Sequence, residues 1–121
     1  MYGETLLDHF RNPRNVGELP SPAVTVEVMN PACGDLMRLA GRFEDGRLTE
    51  VRYQTRGCTA SIAVGSALTE WMLGKTLAEL SGIDAGIVES AIGGLPNESR
   101  HAAVLCVDAV RALVAAAQPR K

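Results

Sequence analysis

LMRLAGRFEDGRLTEVRYQT, residues 36–55, is the stretch that decides the architecture. Its two halves, residues 36–43 and 48–55, read as strands, and Glu44-Asp45-Gly46 between them is a tight hairpin signal. In the second half Val51 and Tyr53 fall on one face and Arg52 and Gln54 on the other, the period of a half-buried strand. Working outward, residues 23–29 alternate strictly, with Val24, Val26 and Val28 opposite Thr25 and Glu27. Three sequential strands joined by short loops make an antiparallel meander.

On the C-terminal side the period changes. In residues 60–73, Ile62, Ala63, Ser66, Ala67, Thr69, Glu70 and Trp71 suit a helix, closed by Gly74 as a C-terminal stop. Residues 77–80 make a helical turn, and residues 84–92 another, with Asp84 as N-cap and Gly93-Gly94 as terminator. Ser99 caps a last helix that runs to about Ala117, before Pro119. On the N-terminal side, the first ten residues form a short helix whose apolar face is Leu6, Leu7 and Phe10. Asn12-Pro13 breaks it, because proline lacks a donor and its preceding residue avoids the helical region. Strands first and helices afterwards predict an α+β domain: a three-stranded antiparallel sheet with helices packed on one face and a long C-terminal helix. The length, 121 residues, predicts one domain over residues 1–121.

Composition excludes several classes of function. The net charge of −2, with arginines interspersed among acids, supplies no basic stripe for nucleic acid. No apolar run approaches the roughly 20 residues that cross a bilayer. The N-terminus carries acids early and lacks a secretory pattern, which predicts a cytoplasmic protein. Three cysteines, an odd number, argue against a secreted disulfide framework and for thiols that bind metal or react.

Two of those cysteines carry the chemistry. Cys33 lies in Asn30-Pro31-Ala32-Cys33-Gly34-Asp35, between the first two strands, and Cys58 lies in Arg56-Gly57-Cys58-Thr59-Ala60-Ser61, after the third. In a meander those two connections fall at the same edge of the sheet, so the two thiolates are expected to converge. Gly34 and Gly57 beside them let the backbone approach closely. Asp35 offers a hard oxygen, and His101, in the first turn of the last helix, an imidazole. Cys33, Asp35, Cys58 and His101 then form a four-ligand set that suits tetrahedral zinc and equally a cluster with mixed ligation. Taken singly, each has a plainer role: a buried cysteine packs as a small hydrophobe, an aspartate forms a turn and a histidine lies on the surface.

The motifs resemble, in order, those of the IscU/NifU-N-terminal iron–sulfur cluster assembly scaffolds. Asp8-His9-Phe10-Arg11-Asn12-Pro13-Arg14-Asn15-Val16-Gly17 is similar to that family's N-terminal signature. The two cysteine loops quoted above resemble its first and second loops, and Thr69-Glu70-Trp71 and Gly74-Lys75-Thr76-Leu77 resemble the helix that follows. Leu95-Pro96, His101 and Asp108-Ala109-Val110 resemble its last segment. Without a long insertion, the pattern is closer to the IscU branch than to the longer SufU branch.

The resemblance implies a carrier and not an enzyme. Such a carrier takes sulfur from a cysteine desulfurase, binds iron and hands a cluster, of the 2Fe–2S type, to apo-proteins. It implies Cys33, Asp35, Cys58 and His101 as cluster or metal ligands, and Tyr2 in contacts of a homo-oligomer. Two departures stand out. The family's His-Cys pair at the start of the last helix reads His101-Ala102 here, and its chaperone motif Leu-Pro-Pro-Val-Lys reads Leu95-Pro96-Asn97-Glu98-Ser99. The third cysteine, Cys106, stands four residues beyond Ala102, one helical turn along the same face. It is either a displaced ligand or sulfur acceptor, or a core residue. Two alternatives to the scaffold follow: a zinc-binding relative that no longer builds clusters, and a persulfide sulfur carrier.

Overall fold

The computed structural model describes residues 3–30, 34–57 and 59–117, with Glu98 described in its backbone only. Three strands, β1 (Val24–Met29), β2 (Leu36–Glu44) and β3 (Arg47–Arg56), pair in sequence order, and both pairings are antiparallel. The hairpin between β2 and β3 turns on Asp45 and Gly46, at φ 53° and 80°. Two successive left-handed residues give a turn whose twist matches that of the strands it joins. Val24, Gly41 and Val51 align across the sheet, as do Val26, Leu39 and Tyr53. These rows form the inward face. A bulge between Arg42 and Phe43 shifts the register near the hairpin end.

The helices are α1 (Glu4–Arg11), α2 (Thr59–Met72), α3 (Leu77–Ser81), α4 (Ala85–Ala91) and α5 (Arg100–Ala117), with a 3₁₀ turn, Asn97–Ser99, just before α5. Helix α2 lies against β3 and α5 lies across β1 and β2. Helices α1 and α4 cover the other side of α2. Consequently α2 is buried nearly all round, from Ala60 to Met72, as its small and apolar sequence allows. Its approach to the sheet depends on Gly65: a Cβ there would stand 2.5 Å from the ring of Tyr53. The Tyr53 hydroxyl in turn donates to the Ile62 carbonyl at 2.7 Å. Gly74 ends α2 at φ 85°. Thr76 and Glu79 form a capping box on α3, and Asp84 Oδ1 accepts from the Ile87 N–H at the start of α4.

The N-terminal segment departs from the expected apolar face. Leu6 is fully buried, but Phe10 is 38% exposed, and the second buried side chain of α1 is His9. The reason is a polar anchor. Ser66 Oγ on α2 accepts from the Arg14 backbone N–H at 2.9 Å and lies 2.7 Å from His9 Nδ1. The Arg14 guanidinium, which has only donors to offer, also reaches Nδ1 at 3.0 Å. His9 Nδ1 therefore carries no proton, and its Nε2–H faces Glu70 Oε1 at 3.4 Å. Burial first, and the Arg14 charge second, hold the His9 pKa below its usual value. Beyond the anchor, Val16 pairs beside Tyr53 at the edge of β3. Among the described residues, no helix is long and apolar enough to cross a membrane.

Candidate metal centre

The start of β2, the end of β3, the first turn of α2 and the first turn of α5 meet at one edge of the sheet. Leu36 pairs with Arg56, so Asp35 and Gly57 continue side by side past the last paired residues. Asp35 is 8% exposed. Its Oδ2 accepts from the Ser61 hydroxyl of α2 at 2.8 Å and lies 3.2 Å from His101 Nε2 of α5. The hairpin-like connection that carries Asp35 is closed by its own backbone: the Asn30 N–H donates to the Asp35 carbonyl and the Gly34 N–H to the Asn30 carbonyl, both at 2.8 Å.

Gly57 fits this arrangement through its lack of a side chain. A Cβ there would stand 2.9 Å from Asp35 Cγ and 3.0 Å from Ser61 Oγ. The place a side chain would take at Gly57 is thus held by the carboxylate of Asp35.

Of the expected ligands, Asp35 and His101, 66 positions apart in the chain, are brought together. Cys33 and Cys58 lie outside the described residues, as does Tyr2. Among the described residues no group of three His, Cys, Asp or Glu side chains forms a metal site. Asp35 and Gly57, described residues near the two cysteines in sequence, do come together at this edge.

Cys106 sits elsewhere. It is fully buried on the inward face of α5 and belongs to the core that includes Tyr53, Ala102 and Val110. Burial pushes its thiol up to about 12, well outside the range of a reactive thiolate. Ala102 is also buried, at 1% exposure. Sequence reasoning did not single out Ser61. The available signal was a serine three residues after Cys58, in the first helical turn, where side chains point back towards the preceding loop.

Comparison with known proteins agrees with this architecture. The chain matches the family described as NifU-like N terminal domain over residues 1–121. It is 42% identical over 111 residues to the iron–sulfur cluster assembly scaffold protein IscU 1 of Archaeoglobus fulgidus, covering 92% of this chain and 72% of the relative. It is 38% identical over 118 residues to the scaffold protein IscU of Haemophilus influenzae, covering 94% and 93%. The crystal structure of a putative iron–sulfur cluster assembly scaffold protein for the SUF system, from Fervidobacterium islandicum, superposes with a TM-score of 0.76. That likeness covers 93% of this chain and 96% of the other at 18% identity, and speaks for the fold. With a matched family spanning every residue and relatives at about two-fifths identity, the chain belongs to the NifU-like N-terminal domain family, among homologues of the IscU scaffolds.

Proposed function

We propose that this chain is an iron–sulfur cluster assembly scaffold of the cytoplasm. It accepts sulfur from a cysteine desulfurase, binds iron, and passes a 2Fe–2S cluster to apo-proteins as a carrier and not an enzyme. The observation that carries the reading is the Asp35–His101 pair, 3.2 Å apart and drawn from two distant elements. It stands next to the chain positions of both loop cysteines. Relatives named as cluster assembly scaffolds, similar over nearly the whole chain, support it.

In this reading Cys33 and Cys58 supply two thiolates, His101 an imidazole and Asp35 a carboxylate to the cluster, which is cargo. Thiolates suit iron and sulfide, whereas a hard carboxylate oxygen is a poor partner for a sulfide-rich site. Replacing one soft ligand by Asp35 weakens retention, as a cluster destined for transfer requires. Cys106, protonated in the core, is not a ligand.

The burial of Cys106 also favours a second reading. A chain with two thiolates, one imidazole and one carboxylate suits a single tetrahedral zinc, and such a relative stores or senses zinc without building clusters. Anaerobic reconstitution with a cysteine desulfurase, iron and cysteine separates the two. The scaffold reading predicts cluster absorption bands that need the desulfurase, disappear in Cys33→Ser and Cys58→Ser, and move to an apo-acceptor on mixing. A protein that keeps zinc and develops no cluster bands contradicts it.

A further inference from the structure

Ser61 has a part in this site that the ligand set leaves unassigned. Its hydroxyl and the His101 imidazole approach the same oxygen of Asp35, Oδ2, at 2.8 and 3.2 Å. Among the described residues no donor reaches Oδ1. Ser61 is 1% exposed and belongs to the first turn of α2, the helix packed against β3, α1, α4 and α5, so its hydroxyl is held by the core. Just past the end of β3, Gly57 has no side chain to contest the carboxylate's place: a Cβ there would stand 2.9 Å from Asp35 Cγ. The two contacts on Oδ2 differ in kind: Nε2 of His101 gives up the carboxylate if that nitrogen binds a metal, whereas the Ser61 hydroxyl, on a buried helix, is not called on as a ligand.

We infer that Ser61 is the positioning residue of this centre. It anchors Asp35 by Oδ2, leaves Oδ1 as the oxygen that meets the metal, and keeps the carboxylate in place when His101 leaves it for the metal. The inference rests on reading Asp35 and His101 as ligands. Hydrogen-bond partners that orient a ligating group typically change metal affinity by about 10- to 100-fold.

The test titrates cobalt(II), a metal with visible ligand-field bands, into the metal-free protein. Wild type, Ser61→Ala, Asp35→Ala and the double variant are compared. Alanine is the best helix former, so α2 keeps its fold in Ser61→Ala. The expected result is a loss of about 10- to 100-fold in cobalt affinity for Ser61→Ala, with bands displaced in the direction seen for Asp35→Ala. In the Asp35→Ala background, removing the Ser61 hydroxyl adds nothing further. Wild-type affinity and bands in Ser61→Ala would overturn the inference and leave the site standing. An equal loss in both backgrounds would also overturn it, because Ser61 would then act independently of Asp35. Absence of cobalt bands in the wild type would overturn the ligand reading, and the inference with it.

Discussion

One methyl group at position 57 decides where the Asp35 carboxylate can lie. With Asp35 Cγ and Ser61 Oγ 2.9 and 3.0 Å from the site of a Cβ, Gly57→Ala displaces both. It is expected to weaken zinc binding while leaving the thermal unfolding midpoint within a few degrees of wild type; unchanged zinc affinity would show that the carboxylate seat is unimportant. Asp35→Ala removes the proposed hard ligand and is expected to slow transfer of a bound cluster to an acceptor protein; an unchanged or faster rate would reduce Asp35 to a turn residue. Cys106 yields the opposite kind of expectation. Its thiol, pushed up to about 12 by burial, is predicted to resist thiol reagents in the native protein and to react once denaturant unfolds it. Cys106→Ser should cost about 1–3 kcal/mol of stability, the penalty of an unpartnered buried hydroxyl, without removing bound metal. Rapid native labelling, or metal loss in that variant, would contradict this. At this scale Asp35 and His101 were legible, because donor chemistry and position on predicted elements can be read together. Ser61 was not, because no local pattern tells a buried serine in a first helical turn from an exposed one, and only the folded register shows that it faces a strand end.

Helix α1 shows what periodicity alone misses. Spacing selects Leu6, Leu7 and Phe10, yet His9 is the residue that turns inward, because Ser66, Arg14 and Glu70 satisfy both ring nitrogens. Those partners lie up to 61 positions away in sequence, which no local pattern encodes. The consequence is a pH dependence. His9 is neutral in the fold with its pKa below 6.5, so the unfolded chain takes up a proton at a higher pH than the native one. Its contribution to stability is full above about pH 6.5, the ordinary value for histidine, and is lost as the pH falls through that value towards the lowered folded pKa. The charged groups facing the ring are Asp8, Arg14 and Glu70. Urea unfolding between pH 7.5 and 5.5 should show a fall in stability that is shallower in His9→Gln; identical slopes would remove His9 from the account. Helix α2 was legible in extent, with Gly74 as its stop, but its burial on nearly every side was not. That follows from α1 and α4 covering the flank that the sheet leaves open. Gly65→Ala, with its Cβ 2.5 Å from the Tyr53 ring, is expected to destabilise the protein by about 1–3 kcal/mol through overpacking.

For the whole molecule, the meander and its helical layer follow from strong local signals: the Asp45-Gly46 turn, the strict alternation of β1, and the capped helices behind them. The N-terminal strap that brings Val16 beside Tyr53 has no such signal, since it is held by Asn15 and Arg14 contacts to a helix formed much later in the chain. The same meander, by pairing Leu36 with Arg56, carries Asp35 and Gly57 side by side to the edge where His101 stands. In the proposed function the metal meets two sulfurs, one nitrogen and one oxygen at this edge of the sheet. X-ray absorption at the zinc edge of the zinc-loaded protein measures that set directly. The account predicts two sulfurs at about 2.3 Å and two lighter donors at about 2.0–2.2 Å, with one sulfur lost in either Cys33→Ser or Cys58→Ser and none in Cys106→Ser. Three sulfurs around the metal, or none, would contradict it.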